Sequence, residues 1–263
     1  MRSLVARRRH PLVLALLLLV ALAATGAIYA ATSASTPARA TDDVAAQRLV
    51  EEGKKLYLEG CASCHGLQAQ GASGGPTLIG VGGAAVHFQV ATGRMPLAAP
   101  GAQAVAKEPI YDAEQIAAMA AYIASLAPGP ASPTAEDLDT TGADVALGGI
   151  LYRTNCAQCH QAAGAGGALT QGKYAPTLMG VDARIIYEAM LTGPQSMPVF
   201  ADSSLTPDDK RAIIAYIQEL QAAASPGGMS LGRIGPVAEG LFLFTALLGA
   251  LIAAAVWIGI RAR

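Results

Sequence analysis

The sequence predicts an all-α fold in which two copies of one small helical domain lie between two apolar segments. Two stretches contain the same short blocks in the same order, one starting at Cys61 and the other at Cys156. No segment shows the sustained alternation of apolar and polar residues that is typical of half-buried strands. A run of about 20 apolar residues near each end is long enough to span a bilayer.

The repeated unit is recognised by five blocks. Each copy has Cys-x-x-Cys-His, then Pro-Thr-Leu-x-Gly-Val, then Thr-Gly, then Met-Pro, and finally Ala-Tyr-Ile within a helical pattern. The blocks begin at Cys61, Pro76, Thr92, Met95 and Ala121 in the first copy and at Cys156, Pro176, Thr192, Met197 and Ala215 in the second. The same order of blocks twice predicts two copies of one domain.

Capping signals locate the helix that closes each copy. Asp112 with Gln115 predicts a capping box. Thr206-Pro207 followed by acidic residues predicts an N-cap and a proline in the first turn. Helices over about residues 44–58 and 145–153 are predicted before the two cysteine pairs. The predicted organisation is an N-terminal signal or anchor (1–40), a first domain (41–127), a linker (128–143), a second domain (144–224), a second linker (225–236) and a transmembrane helix (237–260).

The flanks of the apolar segments predict the topology. The first segment, about residues 11–31, follows an arginine cluster and precedes the small-residue site Ala38-Arg39-Ala40, which fits a cleaved export signal or a retained anchor. The second segment ends in Arg261-Ala-Arg263 and is expected to span the lipid bilayer. Because arginine-rich flanks stay in the cytoplasm, residues 41–230 are expected on the outer side of the cell membrane. The chain is multi-pass if the first segment is retained.

Composition excludes a nucleic-acid partner and favours a cofactor. The chain has 18 Lys and Arg against 19 Asp and Glu, a net charge of -1, so no basic field attracts nucleic acid. Only 5% of its residues are aromatic. A domain below about 100 residues with so few large side chains usually needs a metal, a disulfide or a cofactor.

Each Cys-x-x-Cys-His block predicts one covalently bound haem c, and thus two in the chain. The thiols form thioethers with the haem vinyl groups, and the next histidine ligates the iron. These residues are Cys61, Cys64 and His65 in the first copy and Cys156, Cys159 and His160 in the second. The alternatives are one zinc site made by both pairs, a thioredoxin-like redox pair and disulfides. A zinc site explains neither the histidine after both pairs nor the later Met-Pro of both copies, and disulfides would not require the histidines. A thioredoxin-like pair needs a βαβ setting, of which the sequence shows no sign.

Met95 and Met197 are the predicted sixth ligands, because each precedes a proline at a matching place in the repeat. His87 is the one histidine left over, and we expect it at the surface or in a loop. A Met/His pair leaves no open iron position and raises the reduction potential. We therefore predict electron transfer, with no catalytic residue in this chain.

Proline and tyrosine residues are expected to surround each haem. The carbonyls near Pro76 and Pro176 are placed to accept a hydrogen bond from the ligand histidine. Tyr122 and Tyr216 are expected to pack the closing helix onto the haem.

These blocks resemble those of class I cytochromes c. The order of the whole chain resembles the dihaem cytochrome cc subunit of the actinobacterial cytochrome bc1 complex. A short sequence in the first copy adds to this resemblance, namely Gly93-Arg94-Met95-Pro96-Leu97 followed by Lys107, Pro109 and Tyr111. The resemblance implies a subunit of a quinol–cytochrome c oxidoreductase whose partners are a cytochrome b and a Rieske iron–sulfur protein. Electrons from menaquinol oxidation would pass from the Rieske protein through both haems to the copper centre of an aa3-type cytochrome c oxidase.

Two other functions fit parts of the same pattern. One is a membrane-anchored cytochrome subunit that accepts electrons from a periplasmic dehydrogenase. The other is a dihaem enzyme, such as a peroxidase or a thiosulfate dehydrogenase, which needs an open or unusual axial position. The paired Met-Pro blocks argue against the second of these.

Overall fold

The computed structural model describes residues 11–33, 36–223 and 236–261. Its first helical unit contains α2 (Thr36–Gly60), α3 (Ala62–His65), α4 (Gly82–Ala91) and α5 (Ala113–Leu126). The second contains α7 (Val145–Asn155), α8 (Ala157–His160), α9 (Ala183–Thr192) and α10 (Pro207–Ala222). The predicted all-α class and the repeat are therefore confirmed. Helix α2 begins at Thr36, eight residues before the predicted start near Val44.

The first and closing helices cross at backbone contact in both units. A Cβ on Gly53 would lie well inside 3.0 Å of the Ala118 carbonyl, and one on Gly148 would meet the Ala212 carbonyl in the same way. Only glycine permits helices to approach so closely. The equivalence of Gly53 and Gly148 shows that both units use the same crossing.

Tyrosine pairs lie beside both crossings. Tyr57 and Tyr122 have ring centroids 5.4 Å apart, as do Tyr152 and Tyr216. The hydroxyl of Tyr57 donates to the Gly66 carbonyl at 2.6 Å. The hydroxyl of Tyr152 donates equivalently to the carbonyl after His160. The tyrosines of the closing helices thus pack on the first helices, and their expected contact with haem stays a prediction.

Both predicted caps are present. Asp112 and Gln115 form a capping box at the start of α5. Thr206 forms one with Asp209 at the start of α10, where Pro207 occupies the first turn. These caps satisfy backbone N–H groups that the first turn of a helix leaves free.

Two local elements were not predicted. The expected linker 128–143 contains α6 (Ala135–Leu138), and Tyr187 donates a hydrogen bond to Asp137 at 3.2 Å, so this segment is docked on the second unit. In the second unit, β1 (Gly167–Ala168) pairs antiparallel with β2 (Tyr174–Ala175). Strands of two residues are too short to produce an alternating pattern. The second predicted linker lies almost entirely outside the described residues.

Helices α1 (Pro11–Ser33) and α11 (Pro236–Arg261) account for the apolar ends of the chain. Each contains a stretch long and apolar enough to cross a membrane, Pro11–Ala31 and Gly240–Arg261, and neither stretch is buried inside the protein. Exposed apolar helices of this length need a membrane or a protein partner around them. This observation supports the predicted association with a membrane.

Candidate haem-binding sites

The two candidate ligand histidines are held by the same hydrogen bond. In the first unit, Nδ1 of His65 lies 2.7 Å from the carbonyl oxygen of Pro76. In the second, Nδ1 of His160 lies 2.9 Å from that of Pro176. The carbonyl can only accept, so Nδ1–H donates and Nε2 is left as the nitrogen for a metal. The expected hydrogen bond between each histidine and a proline carbonyl is confirmed, whereas ligation of an iron by the histidines stays a prediction.

The Pro-Thr-Leu block is fixed to the loop that follows the histidine. Thr77 donates its hydroxyl to the Ala69 carbonyl at 3.1 Å, and the Leu78 N–H donates to the same oxygen at 2.8 Å. Thr177 and Leu178 make the equivalent two bonds to Gly164, again at 3.1 and 2.8 Å. These bonds hold the proline carbonyl in place, and the hydroxyl bond explains why Thr recurs after the proline.

In the part of the chain that the structure describes, the cysteines do not form a zinc site. Within the described residues, no group of three or more His, Cys, Asp or Glu side chains could hold a metal ion. Burial raises the pKa of Cys61 and raises the pKa of Cys156 to about 11. A redox-active Cys-x-x-Cys pair needs a lowered pKa instead. The raised pKa of the first cysteine of each pair does not fit a thiol poised for redox exchange.

A cavity of about 440 Å³ in the second unit is lined by all four of its candidate haem residues, Cys156, Cys159, His160 and Met197. Much of the remaining wall is apolar, including Leu178, Ile186 and Ile213. The volume lies in the range of ligand pockets, roughly 300–1,000 Å³. Two thiols, an oriented imidazole and a thioether around one apolar cavity fit a covalently bound haem.

Two of the four candidate residues of the first unit pack on one core cluster. Cys61 and Met95 both pack on the cluster that contains Leu56, Val90 and Ile116. The Met95 N–H donates to the Gln89 carbonyl at 2.9 Å, which fixes the start of the Met-Pro loop. The assignment of Met95 and Met197 as sixth ligands stays a prediction.

The first unit also supplies part of the wall of the second unit's cavity. Five of its residues line that cavity: Phe88, Thr92, Arg94, Gln103 and Ala106. Sequence reasoning missed this contribution. The available signal was an arginine before Met95 where the second copy has Ser196 before Met197.

Hydrogen bonds between glutamine side-chain amides and the backbone join the two units at this wall. The side chain of Gln103 accepts from the Tyr174 N–H and donates to its carbonyl, both at 2.8 Å. The side chain of Gln195 makes the same pair of bonds with the backbone of Ala104, at 3.1 and 3.0 Å. The two units are therefore held in one relative orientation along the edge of the cavity.

His87 is not the surface or loop residue that the sequence suggested. It lies in α4, half-buried, with Nδ1 2.7 Å from Oε2 of Glu188 in α9. Glu188 is completely buried, and its Oε1 has no hydrogen-bond partner. Burial raises the pKa of Glu188, and the neighbouring His87 partly offsets this effect. The expectation was wrong because the second unit covers this face of the first.

Comparison with protein-family models assigns each unit separately. Residues 50–127 match the model described as cytochrome c. Residues 143–217 match the model described as cytochrome C oxidase, cbb3-type, subunit III. The two units are therefore cytochrome c domains, which hold haem c through thioether bonds.

Known proteins named cytochrome bc1 complex cytochrome c subunit are similar over most of the chain. The one from Corynebacterium efficiens is 48% identical over 230 residues, covering 82% of this chain and 78% of that protein. The one from Mycobacterium leprae is 45% identical, covering 94% and 87% respectively. The one from Mycobacterium bovis is 44% identical, covering 97% and 93%. The similarity extends across both cytochrome c domains.

Proposed function

Because the chain belongs to the family of cytochrome c subunits of the cytochrome bc1 complex, we propose that it is the two-haem electron carrier of such a complex. It accepts electrons from the Rieske iron–sulfur protein after menaquinol oxidation at the cytochrome b subunit. It delivers them to the copper centre of an aa3-type cytochrome c oxidase. The chain is then one subunit of a quinol–cytochrome c oxidoreductase and itself only transfers electrons.

The residues of each domain hold and tune one iron. Cys61 and Cys64 would hold the first haem c, with His65 and Met95 as the ligands of its iron. The second set is Cys156, Cys159, His160 and Met197. When bound, haem c supplies a one-electron iron couple. The hydrogen bond from each histidine to a proline carbonyl fixes the ring and increases its basicity as a ligand.

The shared wall is the observation that carries the two-haem proposal. Arg94 lines the second cavity, and the next residue is Met95, the predicted ligand of the first iron. Electron transfer between haems depends on close approach of the two cofactors. A domain arrangement that separates the two sites by one stretch of wall supports passage of the electron through the chain.

The terminal helices anchor the carrier to the cell membrane. Arginines flank the apolar segments on the same side, so the haem domains lie on the extracytoplasmic side. The chain is multi-pass where the first helix is retained. This location places both sites on the side where a Rieske protein and the copper centre of an oxidase operate.

A mild-detergent pull-down from native membranes tests the partners. We expect haems b and a to co-purify with haem c, and the eluate to reduce oxygen when given a quinol. A flavin- or quinoprotein dehydrogenase as the partner, or haem c alone, contradicts the bc1 proposal.

The haem count is tested separately. The wild type should bind two haems c, and a chain with Cys156→Ala and Cys159→Ala should retain one. A wild type with one haem would contradict the two-haem carrier.

A further inference from the structure

One edge of the second domain's cavity is positively charged. This margin is formed by Arg94, Gln103, Lys173, Tyr174 and Gln195. Among the described side chains that line it, Arg94 and Lys173 carry permanent positive charge, and none is an Asp or Glu. Arg94 comes from the first domain, whereas Lys173 comes from the second. The next residue, Tyr174, lines the same cavity. Both domains therefore contribute positive charge to one margin.

Arg94 is buried without an anion. Its side chain is stacked on Phe88, with Cζ 5.0 Å from the ring centroid, and the residue is only 8% exposed. Within the part of the chain that the structure describes, it makes no ion pair and its guanidinium donates no hydrogen bond. A guanidinium has five N–H donors, and those of Arg94 lie at the cavity that this residue lines, without a protein acceptor among the described residues.

Two glutamine side chains at this margin already have partners. Gln103 and Gln195 use their side-chain amides on the backbone of the opposite domain. Neither amide is free to pair with Arg94. The guanidinium, together with the half-buried ammonium of Lys173, is therefore left to meet a group that occupies the cavity.

We propose that Arg94 binds a propionate carboxylate of the haem in the second domain, so that the first domain positions and tunes its neighbour's cofactor. This proposal rests on the proposed function, because it needs a haem attached at Cys156 and Cys159. Haem c carries two propionates on the edge opposite its thioethers, so they lie away from the two cysteines. Arginine pairs with carboxylates through two parallel N–H···O bonds, and stacking on Phe88 orients the planar group.

This contact gives Arg94 a measurable effect on the second haem. Reduction removes one positive charge from the iron, and a nearby cation favours the less positive form. Arg94→Gln should therefore lower the equilibrium constant for reduction of the second haem by about tenfold, which is 59 mV for one electron. Arg94→Lys retains the positive charge, so the reduction potential of the second haem should stay close to that of the wild type. Arg48→Gln is the matched control, since Arg48 is an exposed arginine of the same domain.

The test is potentiometric titration of the full chain, purified with its membrane partners, followed by visible absorption. The second haem is identified as the component that Met197→Ala converts to high spin. We expect Arg94→Gln to lower the midpoint potential of this component. Arg48→Gln should leave the midpoint potentials of both haems unchanged. The proposal is overturned if Arg94→Gln leaves the midpoint potential of the second haem unchanged, or if only the potential of the first haem shifts. The haem content of the wild type tests the two-haem function independently.

A second measurement covers the case in which Arg94→Gln fails to fold. Resonance Raman spectra of the wild type and Arg94→Lys report the propionate bending modes. A bidentate guanidinium contact should be replaced by a weaker ammonium contact, so one propionate band should shift in Arg94→Lys. Identical propionate bands in the two proteins would contradict the proposed contact.

Discussion

The crossing of α7 and α10 allows a stability prediction for Gly148→Ala. The added Cβ would lie well inside 3.0 Å of the Ala212 carbonyl oxygen and 3.1 Å from the Ile213 nitrogen. These are backbone atoms of a helix, so they cannot rotate away as a side chain would. The helices must separate, which loosens the core around Tyr152, Ile213 and Ile217.

The expected cost follows from two opposing effects. Overpacking costs about 1–3 kcal/mol, and a rigid backbone neighbour favours the upper end. Replacing a helical glycine by alanine contributes about 0.5–1 kcal/mol of stability in return. The net loss is therefore about 2 kcal/mol, or roughly 8–16 °C in Tm for a domain of this size.

Thermal unfolding, followed by circular dichroism and by visible absorption of the haem, checks this prediction. Ala146→Val is the matched control, because it adds bulk on the exposed face of the same helix. Gly53→Ala should destabilise the first domain similarly, through the Ala118 carbonyl. A Gly148→Ala protein with the same Tm as the wild type would refute the backbone-contact argument.

Three further predictions concern the ligands and the domain interface. Met95→Ala and Met197→Ala should each turn one haem high-spin and leave the other low-spin; visible spectra that stay unchanged would show that the ligand assignment is wrong. His87→Ala should cost about 2–3 kcal/mol, since it removes a hydrogen bond to a buried carboxylate; a denaturation midpoint equal to that of the wild type would argue against this. Glu188 has a raised pKa, so the folded state binds its proton more tightly and its ionisation opposes folding. Relative to Glu188→Gln, the wild type should therefore lose stability as pH rises from 4.5; denaturation at several pH values checks the sign, and a parallel pH dependence of the two proteins would contradict it.

Local patterns predicted the interior of each domain well. Cys-x-x-Cys-His, Pro-Thr-Leu and the capping residues act over short separations, so their hydrogen bonds follow from spacing. The bond from His65 to Pro76 spans only 11 residues and was anticipated. The predicted start of α2 was less accurate. The helix begins at Thr36 and not near Val44, because residues 36–43 lack the apolar periodicity of a helix face that packs on a core.

The interface between the domains could not be predicted in the same way. His87 and Glu188 are 101 residues apart, and neither belongs to a recognisable motif. Each looks like an ordinary polar helix residue until the two domains are placed face to face. The same holds for Arg94, whose burial depends on residues of the other domain. Long-range pairing of polar groups leaves no periodicity in a sequence.

The first domain supplies part of the wall of the second domain's cavity, and this limits how the two domains can be separated. Phe88, Arg94 and Gln103 belong to the first domain but line the second domain's cavity. A fragment cut in the segment 128–143 would keep its cysteines and histidine while opening one side of its cavity to water. The duplicated domains are thus no longer interchangeable modules. Engineering that swaps, deletes or reorders them has to carry residues 88–106 along with the second domain.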